Sequence, residues 1–244
     1  MNIATIINYC TNDHRFINTC ISQAKLFSEQ IIVPISSHFY NGELENQELL
    51  EKTYTDNKNV DFIYYNWNSS NSARYWHNYS RLVGNKNVNP NIDWVLFLDA
   101  DEIVDYNEFN KLIASDNVNM YDSFDLLCYW YFRDAIYQAS SFESAGTLVK
   151  RELININPDS QIERGQLWNG RFWQNASINN TPIVHHYSWV RTKDEMLSKV
   201  KSWGHSGDKI DWISLVEQEF THPFNGTDFV HGYQYNIVEN KFNI

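Results

Sequence analysis

The sequence predicts an α/β fold: a mostly parallel central sheet flanked by helices, followed by an irregular second half. Two observations carry this. Over the first hundred residues, strand-like and helix-like patterns alternate in the order β-α-β-α-β-α-β, which parallel strands with crossover helices require. The fourth strand, Trp94–Leu98, is wholly apolar, as a strand covered on both faces must be.

The elements follow in order. Ile3–Tyr9 is rich in Ile and Thr and suits a buried strand. Asn12 and Asp13 can cap a helix, and Phe16, Ile17, Cys20, Ile21, Ala24 and Phe27 then recur at helical spacing. Ile31–Ile35 is a second strand, whose Pro34 favours an edge or a strand end. Asn41-Gly42 marks a turn, Glu43–Thr53 a surface helix and Val60–Trp67 a third strand. Asn71–Val83 forms a helix with Ala73, Trp76, His77 and Ser80 on one face. Further on, Phe124–Phe132 and Gly146–Leu153 read as strands, and Asn155–Gln174 as loops and short helices. Thr192-Lys193-Asp194-Glu195 fits a capping box, with Met196, Leu197, Val200 and Trp203 at helical spacing behind it. Asp211–Phe220 is a last helix, stopped by His222-Pro223. With no internal repeat and no Gly/Ser linker, residues 1–244 read as one domain with two halves, 1–105 and 106–244.

Composition removes some functions. The chain carries 19 basic against 30 acidic residues, a net charge of −11, which argues against a general nucleic-acid binder. Aromatics at 16% argue against a disordered chain. The longest apolar runs, Ile31–Ile35 and Trp94–Leu98, fall far short of the roughly 20 residues that span a bilayer. The N-terminus lacks a basic stretch ahead of an apolar one, so no signal peptide is expected. Cys10, Cys20 and Cys128 have no metal-ligand spacing and cannot all pair, so reduced thiols and a cytoplasmic location are expected.

The chemistry concentrates where the apolar fourth strand ends, in Asp99-Ala100-Asp101-Glu102. In parallel α/β sheets, ligands bind beyond the carboxyl ends of the strands. Two carboxylates there repel each other unless a cation bridges them, and a hard divalent ion can do so while gripping a diphosphate. The plainer alternative is a solvated turn in which one Asp caps the next helix. A second cluster is Ile183-Val184-His185-His186-Tyr187. If it is extended, its two histidines face opposite sides and only one reaches a site on either face.

Asp99-Ala100-Asp101 after Trp94–Leu98 resembles the D-x-D motif of GT-A glycosyltransferases, notably those of family 2. The likeness extends to Asn8-Tyr9-Cys10-Thr11-Asn12 and to the strand–helix order through Glu102. The resemblance implies a GT-A, Rossmann-like fold whose first half binds a nucleotide-sugar, with a UDP-sugar favoured. It implies a glycan or glycoconjugate acceptor bound by the second half. It implies Mn²⁺ or Mg²⁺ held by Asp99 and Asp101 with a late histidine, His186 ahead of His185. Tyr9 and Asn12 belong to the implied nucleotide loop. Ser36 stands where many members carry an Asp toward the nucleoside, which leaves the nucleotide open. Arg74 or Arg81, seven apart on one helix, would approach the donor phosphates. Arg191, with Lys193, Lys199 and Lys201, forms a cationic patch in an acidic chain. Arg191 is the preferred phosphate contact, and a solvated basic face is the plainer alternative. Inverting transfer also needs a base for the acceptor hydroxyl. Glu163 is the positional match, with Glu143, Glu152 and Asp159 nearby. Trp130, Trp168 and Trp173 are candidates to stack on sugar rings. Two competing expectations are a haloacid-dehalogenase-type phosphatase, whose motif also ends a strand in D-x-D, and a sugar-binding module without turnover.

Overall fold

The computed structural model describes residues 1–160, 170–204 and 209–244. Its first half follows the sequence pattern closely. Strands β1 (Ile3–Asn8), β2 (Gln30–Ile35), β3 (Asp61–Tyr64) and β4 (Trp94–Asp99) alternate with helices α1 (His14–Ala24), α2 (Gln47–Asp56) and α3 (Ala73–Lys86). The four strands pair in parallel in the order β3-β2-β1-β4. Every residue of β1 and β2 is buried, and α1 seals one face with Phe16, Ile17, Cys20, Ile21 and Ala24. Each large apolar side chain so buried contributes roughly 1.5–3 kcal/mol.

Two local details explain the packing. Pro34 lies beyond Ile32, the last residue of β2 in register with β1, so its missing N–H falls where that ladder has ended. On the other face α3 presses close to the sheet at Gly84, where an added Cβ would come within 2.5 Å of Ile6 Cγ2. The expected surface helix Glu43–Thr53 begins later, at Gln47, because Asn46 caps it by accepting from the Leu49 N–H.

The second half completes the same sheet. It contains β5 (Glu102–Val104), α4 (Tyr106–Ile113), α5 (Asn117–Met120), β6 (Ser123–Phe132), β7 (Asp134–Lys150), β8 (Phe172–Ala176), β9 (Val184–Trp189), α6 (Lys193–Ser202), α7 (Trp212–Glu219) and β10 (Tyr235–Ile237). The result is a mostly parallel sheet flanked by helices, with antiparallel strands added from this half. Strand β4 is the hinge of the architecture, parallel to β1 on one side and antiparallel to β7 on the other.

The expected strand Gly146–Leu153 proves to be the tail of β7, which begins at Asp134. Its earlier part escaped the pattern because the β6–β7 ribbon carries register shifts that break the period of two. Gly146, at φ +71, accommodates one such irregularity. The capping box at Thr192 forms as expected and starts α6. No helix among the described residues is long and apolar enough to cross a membrane.

Candidate functional site

The site begins with the register of β1 and β4. Asn8 pairs with Asp99, so the two strands end side by side. Five buried apolar residues precede Asp99, whose side chain is then 26% exposed at the sheet's carboxyl edge. Asp99 accepts from Arg81 Nη2 at 2.8 Å and has His77 Nε2 at 3.8 Å. Both partners come from the buried face of α3, one turn apart. The Asp99 N–H donates to Glu102 Oε2 at 2.9 Å, which folds the D-x-D turn back toward the sheet.

Asp101 is buried. Its Oδ2 accepts from Lys199 Nζ at 2.5 Å and has Arg191 Nη2 at 3.3 Å, while His186 Nε2 stands 3.6 Å from Oδ1. Burial acts to raise the Asp101 carboxyl, but Lys199, His186 and Arg191 outweigh it and hold it below the usual carboxylate range. Arg191 is itself buried, bonded to Asp13 and to the carbonyls of Asn12 and Ser188. Burial disfavours its charge, and Asp13 and Asp101 more than restore it.

The two histidines separate as an extended segment demands. Strand β9 pairs antiparallel with β5, setting His186 against Glu102 and His185 against Ile103. His185 turns inward, its Nδ1 2.7 Å from the Tyr131 hydroxyl, and burial pushes its pKa down to about 3. It is a neutral core residue. His186 faces the carboxylates.

Several of these groups line a cavity of about 570 Å³, within the range of small-molecule sites. Asn8, Asn12, Asp13, Asp99, Asp101, His186 and Lys199 line it together with Trp130, Trp203, Trp212 and His231. Of the residues expected at the site, Asn12, Asp99, Asp101 and His186 are brought together here, and Tyr9, Ser36, Arg74 and Arg191 are not among the lining residues. The Tyr9 hydroxyl is buried against Thr53 at 2.8 Å, on the helical layer. Ser36 is buried and accepts from the His38 N–H. Arg74 lies in the first turn of α3, half-buried. Arg191 sits behind Asp101 as a buried support. Trp130 lines the cavity, whereas Trp173 packs on Tyr121 and Phe124. Glu163 and Trp168 lie outside the described residues.

Sequence reasoning missed His77 and Lys199 as parts of the carboxylate network, and Arg81 as the partner of Asp99. A signal existed: His77 and Arg81 are four apart on an apolar helix face, and a buried cation demands an anion. Cys10 also lines the cavity, but burial and then Asp13 push its thiol well up, so it stays protonated.

The chemistry of the donor set suits a hard divalent ion. Among the described residues the cavity wall carries the carboxylates of Asp13, Asp99, Asp101, Glu102 and Asp125 against the single lysine Lys199, with Arg81 and Arg191 behind. The Asp101 Oδ1–His186 Nε2 separation of 3.6 Å is one that two ligands each about 2.1 Å from an ion span. No group of three or more His, Cys, Asp or Glu among the described residues is arranged to hold an ion alone. Substrate oxygens would complete the shell, as is usual for hard ions at phosphate sites.

No protein-family model and no curated protein matches the chain. Solved structures do. S. aureus TarS superposes with a TM-score of 0.50 at 10% identity, over 81% of this chain and 38% of that longer chain. Its 1–349 fragment in complex with UDP-GlcNAc matches at 0.45 and 10% identity, over 81% of this chain and 65% of that one. The 4-diphosphocytidyl-2C-methyl-D-erythritol synthase of Anaerococcus prevotii matches at 0.47 and 12% identity, over 80% and 94%. The chain has a GT-A-like fold.

Proposed function

We propose that the chain transfers a sugar from a nucleoside diphosphate sugar to a hydroxyl of a glycan or similar acceptor, with inversion. One observation carries the reading: strand β4 delivers Asp99 and Asp101 to a ligand-sized cavity, with His186 Nε2 3.6 Å from Asp101 Oδ1. That combination at the carboxyl edge of a parallel sheet suits a diphosphate held with a cation.

Asp101 and His186 would hold the divalent ion, Mn²⁺ or Mg²⁺, with Asp99 beside it, and when bound it supplies Lewis-acid stabilisation of the departing diphosphate. Lys199 is the lysine on the cavity wall, and its ammonium faces the same charge. Arg191, with Lys199 and His186, keeps Asp101 ionised, and Arg81 holds the Asp99 carboxylate in position. The tryptophans of the wall offer apolar faces for the C–H surface of sugar rings.

Calorimetry with UDP and GDP, with and without Mn²⁺, tests the reading. UDP, the nucleotide of the TarS complex, is expected to bind, and more tightly with the ion present. A chain that binds neither nucleotide in either condition is not a glycosyltransferase of this kind.

A further inference from the structure

Inverting transfer leaves a proton to be taken from the acceptor, and among the described residues the carboxylates of the cavity wall are engaged. Asp13 and Asp101 pair with Arg191 and Lys199, and Asp99 with Arg81. Glu102 accepts from the Asp99 N–H, and Asp125 from the Thr147 hydroxyl. His231 differs. It lines the cavity, and its Nδ1 stands 3.4 Å from Glu143 Oε1. Its ring is gripped between Trp130, in edge contact at 4.7 Å, and Tyr233, stacked at 5.0 Å. Trp130 also meets His186 edge-on at 4.8 Å, so one indole touches both His231 and His186.

The loop is built to hold this ring. The buried Asp228 carboxylate accepts from the backbone N–H groups of Val230, His231, Gly232 and Tyr233 and from the Tyr235 hydroxyl. With Nδ1 turned to Glu143, Nε2 is the nitrogen left for a substrate.

We propose that His231, oriented by Glu143, is the base that deprotonates the acceptor hydroxyl; the inference rests on the glycosyl-transfer reading above. The acceptor O–H proton passes to His231 Nε2 as the oxygen bonds to the anomeric carbon. The bond from that carbon to the donor phosphate oxygen breaks, and its electron pair leaves with the nucleoside diphosphate. The imidazolium that results is stabilised by the Glu143 carboxylate.

The test measures UDP release from UDP-glucose, UDP-galactose, UDP-GlcNAc and UDP-GalNAc, with water and with free sugars as acceptors, alongside UDP affinity by calorimetry. His231→Gln is expected to slow release about 10²-fold or more while UDP affinity stays within twofold. Added imidazole is expected to restore part of the rate in His231→Gly, which a purely structural role would not allow. Glu143→Gln is expected to cost about tenfold, and Glu163→Gln less than threefold. If His231→Gln turns over within threefold of wild type, or imidazole rescues nothing, the assignment is overturned with glycosyl transfer untouched. A wild-type chain that binds no UDP and releases none overturns the transfer reading, and this inference with it.

Discussion

Lys199 Nζ stands 2.5 Å from Asp101 Oδ2, although the two residues are 98 positions apart. Ser188 Oγ takes a second bond from the same ammonium at 2.9 Å. A cation therefore already occupies one oxygen of the buried carboxylate that would hold the divalent ion.

This makes Lys199 a competitor for that ion as well as a partner for phosphate. Two unit charges 4 Å apart interact by about 1 kcal/mol even at the dielectric of water, and by twice that for a divalent ion. Lys199→Met should therefore raise Mn²⁺ affinity about tenfold or more without nucleotide, read by electron paramagnetic resonance titration, and weaken UDP binding. Unchanged affinities in both titrations would show that Lys199 does not act on the site's charge.

Asp99 and Arg81 separate stability from function. Arg81 is fully buried, and Asp99 supplies its carboxylate at 2.8 Å. Asp99→Asn leaves a buried guanidinium without that charge and should cost about 3 kcal/mol in denaturant unfolding. Adding Arg81→Met removes the stranded charge and should recover most of the loss. The double variant should fold near wild-type stability yet transfer no sugar. Wild-type transfer by the double variant would remove Asp99 from the mechanism.

The way these pairs are built explains how far the sequence could be read. Strands β1, β2 and β4 and the helices between the strands were legible because burial on both faces, helical spacing and turn residues are local signals, as in Trp94–Leu98 and Phe16–Ala24. The D-x-D pair was legible because an apolar strand ending in two acids is itself a local anomaly. Its partners were not: Arg81 is 18 residues from Asp99, and Lys199 belongs to the other half of the chain. Nothing local distinguishes Lys199, which meets Asp101, from Lys201, which is exposed. Strand β6 was read from the sequence, but the earlier part of β7 was hidden for a related reason, since bulges in their pairing shift the register from Leu127 onward. Strand alternation did predict that the two histidines face opposite sides. His185 met Tyr131 in the core, and His186 met the acids.

Glu45 should give stability a distinctive pH dependence. It is buried, and its carboxylate accepts from the Thr11 N–H and hydroxyl. Burial lifts its pKa from 4.5 to about 7, and the Thr11 bonds only partly offset this. Between these values the unfolded chain binds fewer protons than the folded one at this group, so its contribution to stability falls as pH rises. The whole difference corresponds to about 3 kcal/mol, lost between roughly pH 4.5 and 7. Glu45→Gln should flatten that part of the stability–pH curve and raise the melting temperature at pH 8. An unaltered slope would mean that Glu45 is solvated in the native state.

Asp228 offers a test of how the His231 loop is held. One buried carboxylate gathers four consecutive amides between Val230 and Tyr233, so no other group need order that turn. Asp228→Ala strands these donors and the Tyr235 hydroxyl, each at a cost of about 1 kcal/mol or more unless water reaches them. Because the loop is at the surface, water will reach some of them, and the loss should appear as local opening more than as global unfolding. Hydrogen exchange at Val230–Tyr233 should accelerate at least tenfold, while amides of β1 and β4 keep their protection. Asp228→Asn, which retains one acceptor oxygen, should fall between the two. Exchange in Asp228→Ala that matches wild type would show that the turn is held by its packing on Trp130 and Phe132 instead.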